Sequence, residues 1–321
     1  SWRGPAPCHG CRAVHSGLPF VPFPAVHMLL TLLNIVLPVF AVAALGFAFG
    51  RRQARTPDMA FINHANVMVF CPALVFSALL DNPVDLARGW PLMVAGVLII
   101  VVPGLPLALV RTPGVSRPAF LVPGMFRNTG NIGIPLMMLA YGKDLLGDIV
   151  VLFVLSNLLH FSLGLFLLSR GGSRWMWLRN PNIWAALLGV ALAPHRAWIP
   201  PFVTTTLDLT GQIAIPLMLF GLGVRLSQDR IEQLGLALRI NVLYLLAGLL
   251  TLPVVLWLLP LTPEWARMVA LSVMLPPAVL NYLLCEQYRV EPGTVASVVL
   301  LGNVLSVATI PLVVWATLSW I

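Results

Sequence analysis

Asn128, Asn131 and Asn281 are the residues best equipped to hold a small solute. Each carboxamide offers two N–H donors and a carbonyl acceptor without a formal charge, so the three together suit a carboxylate or a coupling ion. Arg127 opens the stretch Arg127-Asn128-Thr129-Gly130-Asn131-Ile132-Gly133-Ile134-Pro135. It is the one formal charge deep in any apolar run, and an intramembrane charge defaults to a functional role. That role is attraction of an anion, or else partnership with Asp208 or with carbonyls stripped of their helical donors. Gly130 and Gly133 bare their backbone N–H groups, and Pro135 cannot donate to the carbonyl of Asn131. A second run, Met274-Leu275-Pro276-Pro277-Ala278-Val279-Leu280-Asn281-Tyr282, sets two prolines ahead of Asn281, which frees the carbonyls of Ser272 and Val273. The candidate binding set is therefore Arg127, Asn128, Gly130, Asn131, Gly133, Pro135, Pro276, Pro277 and Asn281. Asn157, Asn303 and Asp208 support it.

Other polar groups carry less. His64 and His160 can relay protons, although a lone histidine on an apolar helix is more often a hydrogen-bonded core residue. Cys71 and Cys285 read as small hydrophobes. Glu286 and Glu291 read as solvated.

Both polar stretches lie in apolar surroundings, and this dictates the elements that hold them. The chain has 321 residues, 59% hydrophobic and 9% charged, with a mean hydropathy of +0.92. A soluble domain is nearer 25% charged, so this is an all-α polytopic membrane protein. The net charge of +8 comes from arginines scattered singly between apolar runs, which argues for topology signals and against nucleic acid. Ten runs follow Met28: 28–49, 60–80, 90–110, 118–139, 149–169, 183–194, 202–224, 234–259, 265–284 and 292–321. Non-helical backbone at membrane depth survives only inside protein or beside water. The fourth and ninth runs are thus expected to be broken helices at a polar site.

Twelve arginines lie in or beside the odd-numbered connections. The even-numbered ones hold Arg88, Lys143, Arg196 and Arg267. That bias puts the odd connections in the cytoplasm and both termini outside. The chain also echoes itself: Pro72 matches Pro216, Asn131 matches Asn281, and Val150-Val151-Leu152-Phe153…Asn157 matches Val298-Val299-Leu300-Leu301…Asn303. Five spans per copy require the second copy to insert upside down, as in secondary transporters. The expected division is an N-terminal extension (1–27), a first five-helix repeat (28–170), a short cytoplasmic linker (171–180) and a second, inverted repeat (181–321). The extension, with its Cys8-His9-Gly10-Cys11 pair, is expected to be disordered or non-native sequence ahead of a start at Met28. Phosphate-loop, HExxH and GxSxG motifs are absent, so enzyme chemistry is not expected.

Asn128-Thr129-Gly130-Asn131-Ile132-Gly133-Ile134-Pro135 with Gly142, together with Pro276-Pro277-Ala278…Asn281, resembles the fourth- and ninth-helix motifs of the auxin efflux carrier family. Ile215-Pro216-Leu217…Gly221-Leu222-Gly223 and Asn180-Pro181 agree with it, and the likeness runs from Met28 to the end. It implies ten helices in two inverted five-helix repeats, like the bile-acid sodium symporters, with helices 4 and 9 crossing as broken pairs. It implies a carboxylate bound beside that crossing, the family's asparagines and prolines falling on Asn131, Pro135, Pro277 and Asn281. The bacterial branch of the family is assigned to malonate and related acids. The fifth-to-sixth connection is short, unlike the long loop of the plant members, and this counts against auxin. The expectation is an alternating-access carrier of a small organic anion in the cell membrane. Its partners are the anion and the bilayer; a homodimer is compatible with the sequence, Na+ or H+ coupling is left open, and no cofactor or metal is expected. A transport-inactive metabolite sensor and an anion channel are the alternatives on the same fold.

Overall fold

The computed structural model describes residues 25–53, 59–85, 87–169, 176–228 and 231–320. The expectations for Cys8, Cys11 and most of the extension, and for Arg55, Arg170, Arg174 and Arg230, lie outside the described residues. So does half of the linker. Among the described residues every regular element is a helix.

Helix α1 spans Ala25–Arg52. α2 (Met59–Ala65) passes through a π-helical turn, Asn66–Phe70, into α3 (Cys71–Asp81). α4 is Trp90–Leu109, α5 Arg117–Met125 and α6 Ile134–Tyr141. α7 (Leu146–Leu159) likewise continues through a π turn, His160–Gly164, into α8 (Leu165–Ser169). The remainder are α9 (Pro181–Leu192), α10 (Pro201–Gln212), α11 (Ala214–Gln228), α12 (Leu234–Leu258), α13 (Pro263–Met274), α14 (Val279–Gln287) and α15 (Pro292–Trp320). Pro72 and Pro135 follow π turns that run on into α3 and α6, whereas Pro91, Pro118, Pro181, Pro201 and Pro263 sit in the first turns of their helices. A missing N–H costs nothing there.

Among the described residues seven helices are long and apolar enough to cross a membrane. The other apolar runs fall short for visible reasons. The fourth and ninth are interrupted, and α9 is only 12 residues long. The outer surface is apolar as well, with Leu37, Leu105, Leu109, Trp198, Leu250, Trp257 and Leu312 exposed. Such a face suits lipid and not water. This is a multi-pass membrane protein.

The helices pack in two sets. In one, α1 lies along α11, and α3 packs on α9 and α10. In the other, α4 packs on α5, α7 and α12, while α12 and α15 flank α13. Val122, Phe126, Ile134, Val150, Met268, Val269 and Leu271 form the buried core around the interrupted helices. Leucine-to-alanine truncations in such a core cost about 2–5 kcal/mol each, so the packing around the breaks is a substantial part of the protein's stability.

Candidate functional site

α5 ends at Met125 because the chain turns extended at Phe126 (φ −99°, ψ 104°). α13 ends at Met274 ahead of Pro276 and Pro277, with Leu275 (φ −60°, ψ 151°) and Ala278 (φ −66°, ψ 141°) extended. The two extended pieces meet as an antiparallel bridge centred on Arg127 and Pro277. The Asn128 N–H donates to Pro276 O at 2.8 Å, and the Ala278 N–H donates to Phe126 O at 3.1 Å. Each break thereby supplies the hydrogen bonds the other lost, as backbone removed from water requires.

Asparagines fasten the crossing. The Asn281 amide is fully buried and donates from Nδ2 to Phe126 O at 2.9 Å. Asn303 Nδ2 donates to Pro277 O at 3.1 Å and to Val299 O at 2.8 Å. Its Oδ1 accepts Asn128 Nδ2 at 3.0 Å. Asn128 Oδ1 caps the following π turn, Thr129–Gly133, by accepting the Asn131 N–H at 3.2 Å. The break therefore lies at Phe126–Asn128, ahead of the glycine–proline cluster. Pro135 does not break the helix: the stretch is helical from Thr129 to Tyr141, and the proline falls just after the π turn passes into α6. Gly142 ends α6 at φ 100°, a conformation that only glycine adopts cheaply.

A cavity of about 130 Å³ lies against this crossing. Arg127, Asn128, Gly130 and Asn131 form its wall on the broken helix, and Asn157, Ser156 and His160 on α7 and the π turn after it. α2 and the turn after it add Asn63 and Asn66; Asn182 and Arg225 come from α9 and α11. Two arginines and six asparagines thus line it, and among these lining residues there is no aspartate or glutamate. Asn66 Oδ1 and Asn182 Oδ1 are buried without a hydrogen-bond partner. An electropositive, amide-rich cavity of this kind suits a small anion with hydrogen-bond acceptors.

Of the other expected residues, Gly133, Pro135 and Asn281 do not line this cavity. Pro276, Pro277 and Arg127 border a second one of about 80 Å³, walled by Asn241, Val273, Met274 and Gly302. The Arg127 side chain reaches that way: Nη2 donates to Tyr244 O at 2.8 Å and the guanidinium lies 5.8 Å from the Tyr244 ring centroid. Its Nε has no partner. Arg127 makes no ion pair with Asp208, which stands half-buried on α10; the salt bridges among the described residues are Arg88–Asp85 and Arg196–Asp81. Glu291 accepts the Ser116 N–H at 2.9 Å, so it is not simply solvated.

Asn63, Asn66, Asn182 and Arg225 were not singled out from sequence. Asn63 and Asn66 are spaced i, i+3 and so share one helix face, which was the available signal. Arg225 reads as a loop charge at the end of its run.

The chain matches the family described as membrane transport protein over residues 31–177 and 171–314. It belongs to that family, which is the auxin efflux carrier family of the crossing motifs. It is also 26% identical over 302 residues to the "Putative malonate transporter" of Rhizobium meliloti (strain 1021), a match that covers 86% of this chain and 93% of that protein.

Proposed function

We propose that this protein is a secondary carrier that moves a small carboxylate across the cell membrane by alternating access, with malonate-like dicarboxylates as the first class to test. The observation that carries the reading is the cavity against the crossing, lined by six carboxamides and Arg225, with Arg127 standing between it and the second cavity and no carboxylate among the described lining residues. Such a lining attracts an anion and offers it donors while repelling no part of it. The name of the rhizobial relative points to the same substrate class.

In this reading the interrupted helices count as spans. Together with α9 they bring the total to ten, arranged as two inverted repeats (28–170 and 181–321) with both termini outside. The asparagines that fasten the crossing hold it as one rigid piece, against which α1, α2, α3, α9, α10 and α11 shift. Asn131 is the best test of binding. It is half-buried in the cavity wall, and none of the bonds that fasten the crossing involves its side chain. Asn131→Ala should lower uptake of labelled malonate into proteoliposomes at least tenfold, with the protein still folded and inserted. Undiminished uptake would remove the site. Currents that fail to saturate at millimolar malonate would instead mark a channel.

A further inference from the structure

His160 has no part in the reading above. It is 3% exposed, lines the cavity, and opens the π-helical turn His160–Gly164. π turns inside α-helices are uncommon and gather at functional sites. This one delivers the imidazole flat onto the Phe126 ring, with centroids 4.2 Å apart and planes 3° apart. Gly164 makes room for the stack, since a Cβ there would lie 2.9 Å from His160 Cδ2 and 3.0 Å from Phe126. Phe126 is the crossing residue whose carbonyl takes the Asn281 amide. The Asn281 side chain neighbours His160, and its Oδ1 and the His160 Nε2 are both buried without a well-formed hydrogen bond.

We propose that His160 is a proton site of this carrier: it takes up one proton when a carboxylate enters the cavity and carries it across with the anion. The proposal rests on the carboxylate reading given above. The other ionisable groups in the cavity wall are Arg127, Arg225 and Cys71. The arginines keep their protons at all relevant pH, and no carboxylate is among the described lining residues to exchange one. Around His160, Arg179 is exposed on the short helix Met176–Arg179, and α14 carries Tyr282, Cys285 and Glu286. Asp148, at the far start of α7, is bonded to Trp265. None of these lines the cavity, whose described lining offers an imidazolium no counter-charge. An arriving dicarboxylate supplies that counter-charge, and an imidazolium beside it becomes favourable. The imidazolium has two N–H groups to place: the neighbouring Asn281 amide oxygen can accept one, and the anion in the cavity the other. The balance is one proton taken from the side of binding and one released on the side of discharge, with no bond of the substrate altered.

The test is calorimetric titration of malonate into purified protein at pH 7 in two Na+-free buffers of different ionisation enthalpy. Wild type should take up about one proton per malonate, and its Kd should weaken about tenfold per pH unit above neutrality. His160→Gln should bind malonate with neither the proton uptake nor the pH slope. Binding without proton uptake in wild type overturns the proposal whatever the variant does, and leaves the carboxylate reading standing. Uptake retained in His160→Gln also overturns it. A wild type that binds no carboxylate overturns both.

Discussion

At the scale of single residues, the crossing depends on amides that serve the backbone, and in the proposed carrier some of the same residue type serve the ligand. Asn303 is the clearest case, because it is buried and satisfies Pro277 O, Val299 O and Asn128 Nδ2 together. Removing one partner of a buried bond leaves a stranded group that costs about 1–3 kcal/mol. Asn303→Ala should therefore lower the thermal midpoint in detergent by several degrees, with a smaller proportional effect on malonate affinity. Asn131→Ala should do the reverse. If both variants lost affinity and stability in the same ratio, the division between fastening and binding asparagines would fail. That division is invisible in the sequence, where Asn128, Asn131, Asn281 and Asn303 look alike.

Elements are governed here by how closely backbones approach. α1 and α11 interlock through glycines: a Cβ on Gly46 would lie 2.1 Å from Phe220 O, and one on Gly223 would lie 1.8 Å from Ala43 O. Small residues at such contacts are what let membrane helices pack without a hydrophobic driving force. Gly223→Ala should push the pair apart and lower the thermal midpoint and the yield of folded protein. Gly235→Ala, where a Cβ meets nothing within 4 Å, should be silent in the same assay. Equal midpoints for the two variants would mean that this contact does not hold the helices. The apolar runs and both interruptions were legible in the sequence, since proline and glycine act through local chemistry. Pro276 and Pro277 mark their break directly. In the other element the break falls at Phe126–Asn128, upstream of the glycines and Pro135, because pairing with Pro276–Ala278 decides where that helix stops. The far wall of the cavity was not legible. A single Asn63, Asn66, Asn182 or Arg225 in an apolar run carries no mark of the face it turns inward; tertiary packing chooses that.

On the scale of the whole molecule, the question is how much charge crosses the membrane per cycle. Each elementary charge moved across 100 mV is worth about 2.3 kcal/mol, close to a fiftyfold shift in the equilibrium ratio of substrate. A malonate dianion travelling alone moves two charges, and an interior-negative potential opposes its import twice over. Accompanied by the His160 proton it moves one. The arginines of the cavity do not alter this difference, because they carry the same charge in wild type and variant. Measured on one preparation, by capacitive current together with labelled uptake, wild type should carry about one net charge per malonate and His160→Gln about two. Its uptake should then be the more strongly inhibited by an imposed interior-negative potential. Two charges in both proteins would mean that the anion crosses without its proton, and one in both would place the proton on some group other than His160.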